Sequence, residues 1–275
     1  MIRALVRLLR LKLSLLNGIA AAGGYLLFPS AIELPGIVSS LIGVTLLAAG
    51  GSALNQVLER DLDGRMARTR LRPLPRGELR PASATAIGTG AILAGLLLLA
   101  AVGGPRPALL GVAALVWYLS VYTPLKRHTS LALPVGALCG SFPPLVGWSL
   151  AGGLPTDFRI IFLAGLLFLW QVPHFWLYQR RHQDDYRQAG IPLFCSRIGD
   201  RRQNPFFWIW LAALGAGAML LPAFGIVERP LAQWYAAFPL ALVPIALLCR
   251  ERLLFNYLNL FPLLVSILLL IQKQI

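Results

Sequence analysis

Charged residues are scarce in this sequence. Only 13% of its 275 residues are Asp, Glu, Lys or Arg, against about a quarter in ordinary soluble domains. Meanwhile 57% of the residues are hydrophobic, and they stand in long runs such as 91–102 and 160–170. Runs that approach about 20 residues are typical of membrane-spanning helices. The composition therefore excludes a soluble globular protein and leaves no stretch for a detachable soluble module.

Cysteine is scarce as well. The three cysteines, Cys139, Cys195 and Cys249, are odd in number and lack the spacing of a metal site. We expect reduced, structural thiols. The apolar run after Lys12 continues too far for a cleavable signal peptide and has no convincing cleavage site.

Acidic residues are fewer than basic ones, and the net charge is +14. The basic residues lie between apolar runs and form no extended basic domain, so we expect no nucleic-acid partner. A cytoplasmic membrane surface, membrane lipid and anionic ligands explain them better.

The apolar runs predict one all-α membrane domain, 1–275, with about nine transmembrane helices. Helices are expected because every backbone N–H and C=O in lipid needs an internal partner. Small residues such as Gly23, Gly24, Gly50 and Gly51 would let neighbouring helices pack closely. The predicted spans are 13–31, 36–60, 82–102, 107–125, 131–150, 158–179, 205–224, 231–249 and 254–272.

Basic residues also predict the orientation of these spans. If the N-terminus and every second loop share one side, that side holds 21 of the 25 Lys and Arg residues, and the other side holds four. The positive-inside rule then places the N-terminus in the cytoplasm and the C-terminus outside. We expect a multi-pass protein of a bacterial-type inner membrane.

Five of the 11 acidic residues lie in two short segments that this topology places on the cytoplasmic side. In the first segment, 55–73, the residues Asn55, Glu59 and Asp63 are spaced i, i+4, i+8 and share one face of a helix. Asp61 points elsewhere if the helix continues, whereas a helix end at Gly64 would free both aspartates. The second segment, 182–192, contains Asp184 and Asp185.

Carboxylates that face one another repel unless a cation lies between them. Mg²⁺ suits such a site because it takes oxygen ligands and bridges carboxylates to phosphates. Cationic side chains nearby would bind a diphosphate. Alternatively, the acids only balance arginines at the membrane surface. The neighbouring cations are Arg68, Arg72, Lys126, Arg127, Arg180 and Arg181.

These residues resemble the UbiA superfamily of intramembrane prenyltransferases, whose members bind an isoprenyl diphosphate through Mg²⁺ held by two Asp-rich motifs. Five stretches occur in the order of the family. Glu59 departs from the pattern because Asp is usual at that position. The residues after Pro192, Leu193 to Cys195, also differ from the usual sequence. The matching stretches are 55–73, 122–129, 142–148, 170–176 and 184–192.

The resemblance implies a UbiA-type helical bundle, Mg²⁺ as cofactor, and transfer of a farnesyl group from farnesyl diphosphate to a vinyl group of haem b. It further suggests contact with haem-modifying or oxidase-assembly proteins. The implied catalytic residues are Asn55, Glu59, Asp63 and Asp185. The implied metal ligands are Glu59, Asp61, Asp63, Asp184 and Asp185. The implied substrate-binding residues are Arg68, Arg72, Lys126, Arg127, Arg181, Tyr122, Tyr186 and His174.

Several alternatives stay open at this point. His174 either contacts haem or is satisfied by a neighbouring helix, and Lys126 and Arg127 either bind anions or anchor a helix end. Tyr118, Tyr122, Tyr178 and Tyr186 are candidates for stabilising a cationic intermediate or for an interfacial belt. The acceptor is haem or a quinone-precursor aromatic. The third alternative is a non-enzymatic transporter or haem-handling protein.

Overall fold

The computed structural model describes residues 2–194, 204–228 and 231–273, and every regular element within these ranges is helical. A π-helical turn, Trp117–Tyr122, follows α6, and a 3₁₀ turn, Leu138–Ser141, joins α8 to α9. The α-helices are α1 Ile2–Leu8, α2 Leu11–Leu27, α3 Leu34–Leu58, α4 Arg60–Arg65, α5 Pro81–Gly103, α6 Pro105–Val116, α7 Thr123–Leu125, α8 Ala132–Ala137, α9 Phe142–Leu150, α10 Phe158–Arg181, α11 Gln183–Gln188, α12 Pro205–Leu220, α13 Leu231–Leu248 and α14 Glu251–Gln272.

The predicted spans are confirmed in number and place within the described ranges. Seven helical segments are long and apolar enough to cross a membrane, with α6 to α7 and α8 to α9 each counting as one, and two shorter apolar helices, α2 and α12, complete the nine. The largest shifts are at the seventh span, where the helix ends at Leu220 rather than near residue 224, and at the first span, where the helix ends at Leu27 rather than near residue 31. Phe28 there is in an extended conformation.

Local chemistry sets several helix ends. Proline occupies the first position of α5, α6 and α12, where its missing N–H costs no helical hydrogen bond. Asp157 caps α10 by accepting a hydrogen bond from the backbone N–H of Arg159.

The spans form a ring in chain order. Each span packs against the next, and α14 packs against α2, which closes the ring. At its C-terminal end α14 is held by Lys273, whose Nζ donates to the carbonyl oxygens of Phe28 and Ser30, each at 2.7 Å. The last helix is therefore tied to the loop that follows the first span.

Close backbone contact holds α9 against α2. A methyl group on Gly24 would overlap the carbonyl oxygen of Pro144, and one on Gly147 would overlap that of Ala21. The prediction that Gly24 permits tight packing is confirmed. Helices α5 and α6 instead expose large apolar side chains such as Leu97 and Leu109, as expected for lipid-facing helices.

The short helix α1 lies beside the first acidic segment. It is separated from α2 at Arg10, which has a left-handed backbone (φ 45°) that is uncommon outside glycine. The buried side chain of Gln56 on α3 donates to the carbonyl oxygens of Leu8 (2.6 Å) and Arg7 (3.3 Å). These bonds satisfy carbonyls at the end of α1 that have no helical partner.

Candidate active site

The first acidic segment begins where α3 ends. Helix α3 stops at Leu58 and α4 begins at Arg60, but the backbone N–H of Glu59 still donates to Asn55, and that of Asp63 to Glu59. The i, i+4 register therefore continues across the break. Asn55, Glu59 and Asp63 are buried, whereas the Asp61 side chain is 49% exposed. The predicted common face is confirmed.

Glu59 forms an ion pair with Lys126. The Oε2 atom accepts from Lys126 Nζ at 2.5 Å. Burial lowers the pKa of Lys126, and the Glu59 carboxylate opposes that change. The other oxygen, Oε1, is buried and has no hydrogen-bond partner among the described residues. One oxygen of this buried carboxylate is therefore available to a ligand.

Asp63 is paired with Arg72. Arg72 Nη1 donates to Asp63 Oδ2 at 2.6 Å, and the Asp63 side chain is only 2% exposed. The loop that brings Arg72 back is fixed by Thr69, whose hydroxyl donates to the main-chain oxygen of Asp63. Two buried carboxylates thus face two cationic side chains at the end of α3.

Asp61 faces away from this pair. Both of its oxygens accept from Arg127, at 3.0 and 3.1 Å, and Arg127 also donates to the carbonyl oxygen of Leu58. Partial burial raises the pKa of Asp61, but the hydrogen bonds and charge of Arg127, together with hydrogen bonds from the main chain, outweigh it, and the pKa lies below its usual value. Arg127 therefore anchors the end of α3 instead of facing Glu59 and Asp63.

The second acidic segment meets the loop after α4. Asp185 accepts hydrogen bonds from the backbone N–H groups of Ala67 (2.9 Å) and Arg68 (3.3 Å). A small apolar cluster, Leu62, Met66, Ala189 and Ile191 with Tyr186 against it, packs the two loops together. Asp184 is 92% exposed and lies 3.9 Å from Arg187. The prediction that the two segments meet is confirmed, but Asp184 does not face the other carboxylates.

Arg68 lies between the two segments. Its guanidinium is 5.4 Å from the ring centroid of Tyr178, and its Nε atom is buried without a hydrogen-bond partner in the part of the chain that the structure describes. Burial raises the pKa of Tyr186 nearby to about 12, although Arg68 opposes the rise. Tyr186 therefore keeps its phenolic proton at neutral pH.

Tyr122 stacks against Tyr118, with ring centroids 6.0 Å apart, and Lys126 Nζ lies 5.8 Å from the Tyr122 ring. Tyr122 thus borders the Glu59–Lys126 pair. Arg181, by contrast, is exposed, and its side chain makes no hydrogen bond or ion pair within residues 2–194, 204–228 and 231–273.

His174 lies in the membrane-spanning helix α10, one helical turn before Tyr178. Its imidazole is stacked between Trp170 and Phe255, each with a ring centroid 4.9 Å away. The Nδ1 atom is buried and, over the described ranges, has no hydrogen-bond partner. Phe255 on α14 thus packs on the imidazole ring, but α14 gives its Nδ1 atom no hydrogen bond in the described ranges.

The structure brings together part of the predicted set. Over the described ranges no three His, Cys, Asp or Glu side chains form a metal-binding group. Cys139 is a free thiol, and Cys195 lies outside the described residues. The residues gathered at the end of α3 are Asn55, Glu59, Asp63, Arg72, Lys126 and Tyr122, with Arg68, Asp185 and Tyr186 on the adjoining loops.

Thr123 also lies at this site, although the sequence pattern did not single it out. Asn55 Nδ2 donates to the hydroxyl of Thr123 at 3.1 Å. The sequence did offer a signal, because Thr123 immediately precedes Pro124 and lies three residues before Lys126. Thr123 and Lys126 both follow the π-helical turn.

Sequence comparison places this fold and site in a known class. The profile of the UbiA prenyltransferase family matches residues 16–258. The chain belongs to this family and is a membrane-embedded prenyltransferase.

Individual relatives narrow the class. A protein from Geobacter sulfurreducens named protoheme IX farnesyltransferase is 59% identical over 96% of this chain and 97% of its own length. A protein of the same name from Oleidesulfovibrio alaskensis is 39% identical over 83% of this chain and 80% of its own.

Solved structures agree with the fold. An apo UbiA homologue from Aeropyrum pernix K1 superposes with a TM-score of 0.76 and 19% identity, over 95% of this chain and 98% of the other. A UbiA homologue from Archaeoglobus fulgidus bound to GPP and Mg²⁺ gives 0.72 and 16% identity, over 99% and 100%.

Proposed function

We propose that the protein transfers a farnesyl group from farnesyl diphosphate to a vinyl group of protohaem IX (haem b), with addition of water, to give haem O. One observation carries the choice of acceptor: the 59% identity, over nearly the whole of both chains, to a relative named protoheme IX farnesyltransferase. The buried carboxylates and cations at the end of α3 support a diphosphate substrate.

In the proposed reaction the bond between C1 of the farnesyl group and the diphosphate oxygen breaks, and diphosphate leaves with the electron pair. The terminal vinyl carbon forms a bond to C1. Water then adds a hydroxyl group to the neighbouring carbon and releases one proton. The products are haem O, diphosphate and that proton.

Cationic side chains stabilise the leaving group where negative charge develops. Arg72 and Lys126 each have a donor on a buried carboxylate and further N–H groups for phosphate oxygens. Arg68 offers its unpartnered Nε at the junction of the two loops. The carboxylates hold these cations in place before the substrate arrives.

A divalent cation fits the same residues. Glu59 has a buried oxygen without a partner in the described ranges, and hard oxygen donors are what Mg²⁺ prefers. Glu59, Asp63 and the amide oxygen of Asn55 would hold Mg²⁺, which neutralises diphosphate charge when bound. The Archaeoglobus fulgidus homologue bound to GPP and Mg²⁺ supports this assignment. Chelation of divalent cations should abolish turnover, and added Mg²⁺ should restore it.

The acceptor is tested by expressing the protein in cells that lack haem O and measuring the mass of the extracted haems. The expected result is a haem whose mass is raised by one farnesyl group plus one hydroxyl group. Unmodified haem, together with farnesylation of a small phenol by the same membranes, would assign a quinone-precursor acceptor instead.

His174 is the proposed contact to haem, because its Nδ1 is buried and unsatisfied in the described ranges. His174→Ala should weaken haem binding, measured by absorbance, while affinity for a non-hydrolysable farnesyl diphosphate analogue stays within about twofold because the His174 ring packs on Trp170 and Phe255 rather than on the acidic segments. Unchanged haem spectra and turnover would make the histidine structural.

The same proposal places the acidic segments in the cytoplasm and the C-terminus outside, where proteins that modify haem further or assemble oxidases would receive the product. A reporter inserted after Gly77 should be cytoplasmic, and one fused to the C-terminus should be external. A cytoplasmic C-terminal reporter would contradict this orientation.

A further inference from the structure

We propose that Thr123 is a positioning residue that fixes the side-chain amide of Asn55, so that the amide oxygen rather than the NH₂ group faces the bound cation and diphosphate. This inference rests on the proposed diphosphate site but not on the identity of the acceptor.

The direction of two hydrogen bonds carries the argument. The Thr123 hydroxyl donates its single proton to the carbonyl oxygen of Tyr118 at 2.8 Å. Its oxygen can then only accept, and Asn55 Nδ2 is the donor, at 3.1 Å. Both Asn55 and Thr123 are buried. The NH₂ group is therefore directed to Thr123, and Oδ1 is left without a hydrogen bond among the described residues.

The π-helical turn explains why the Tyr118 carbonyl lies within reach of Thr123. Within Trp117–Tyr122 the hydrogen bonds span five residues, and the backbone N–H of Thr123 also donates to Tyr118. Pro124 has no N–H, and its ring crowds the carbonyl one turn earlier, which a widened turn relieves. The indole N–H of Trp117 donates to Val135 at 2.9 Å and anchors the start of the turn.

The extra residue of the turn also sets the register of the next helical segment. Thr123, Lys126 and Arg127 contact, in order, Asn55, Glu59 and Asp61 on the first acidic segment. Because one residue rotates an α-helix by about 100°, an ordinary α-helical turn here would point these three side chains elsewhere. The π-helical turn thus matches this segment to the acidic one.

The orientation of the amide matters because its two ends have opposite polarity. The oxygen accepts hydrogen bonds and ligates hard cations, whereas the NH₂ group would repel Mg²⁺ and leave it one ligand short. Groups that orient a metal ligand typically change metal affinity by about 10- to 100-fold when removed.

The test compares Thr123→Val, which keeps the shape but removes the hydroxyl, with Thr123→Ser, which keeps the hydroxyl. The readout is the Mg²⁺ concentration that half-saturates binding of a non-hydrolysable farnesyl diphosphate analogue to the detergent-solubilised protein. Thr123→Val should raise it about tenfold, and Thr123→Ser should leave it within about twofold of wild type. Equal values for Thr123→Val and wild type would overturn the proposal.

A double-mutant cycle separates positioning from a purely structural role. If Thr123 acts through Asn55, the variant carrying both Thr123→Val and Asn55→Ala should match Asn55→Ala within about twofold. Multiplicative losses would overturn the proposal. Thr123→Ser preserves the comparison if Thr123→Val does not fold, because a tenfold loss in Thr123→Ser would equally contradict a role for the hydroxyl.

These readouts do not depend on haem. A protein that fails to prenylate haem but shows the expected Mg²⁺ dependence of analogue binding would refute the proposed acceptor and leave the role of Thr123 intact. Analogue binding that needs no Mg²⁺ would refute the role of Thr123.

Discussion

In the first acidic segment, Glu59 and Asp63 are buried against Lys126 and Arg72, whereas in the second segment Asp185 accepts from the main chain and Asp184 points to solvent. A buried carboxylate is costly unless it is paired, so the first arrangement persists only with its cations in place. Those cations are the groups a diphosphate needs. The difference supports the proposal that the first segment binds the substrate's charge, while Asp185 of the second segment holds the backbone at Ala67 and Arg68.

Asp63→Asn should have the largest effect in this comparison. The change removes the charge that holds Arg72 and the proposed metal, and we expect turnover to fall by about 10²- to 10³-fold. Turnover is measured as haem O formation by the purified protein, and thermal unfolding checks that the variant is folded. Activity near that of wild type would show that the first segment does not bind the substrate's charge.

Glu59 gives the next largest effect. Glu59→Gln keeps the shape but leaves Lys126 without its counter-charge, and turnover should fall about 100-fold. The matched variant Glu59→Asp keeps the charge but withdraws it by one methylene from Lys126, which should cost about tenfold. The ratio of the two losses of turnover separates the effect of the charge from the effect of side-chain length. Equal losses would mean that side-chain length matters more than charge.

Asp185 tests the second segment. If its carboxylate serves the loop, Asp185→Asn should cost only about threefold, because an amide oxygen still accepts from Ala67 or Arg68, and Asp185→Ala should cost about 10- to 30-fold. Analogue affinity and turnover should fall together. An Asn variant as inactive as the Ala variant would instead place Asp185 on the metal, as the sequence predicts.

Asp184→Asn should have the smallest effect, a change in turnover of no more than about twofold, because an exposed ion pair contributes little. It is the matched control for Asp63→Asn, with the same substitution on the same side of the membrane. A large loss would require Asp184 to turn inward when the substrate binds.

Much of this site could be predicted from local pattern. The spans follow from apolar runs, and the common face of Asn55, Glu59 and Asp63 follows from helical spacing, which survives the break at Glu59 because the hydrogen bonds continue. The exposure of Asp61 follows from the same spacing.

Other features depend on contacts between residues far apart in the chain. Asp185 meets the backbone of Ala67, 118 residues away, and no local pattern shows that a carboxylate will accept from main-chain N–H groups. The π-helical turn likewise depends on how Trp117 reaches Val135 and how Thr123 reaches Asn55. Sequence alone could therefore name Lys126 but could not say which acid it would meet.

The bonds from Lys273 to Phe28 and Ser30 bear on the order of events during synthesis. Lys273 emerges 245 residues after Phe28, which at about 5–20 residues per second is roughly 12 to 50 s later. Until then the side of α2 that α14 will cover has no protein neighbour, and the ring of helices is not closed. The first span described here is thus among the last to be fully enclosed, and a chain that ends within α14 would leave the side of α2 that α14 covers open to lipid.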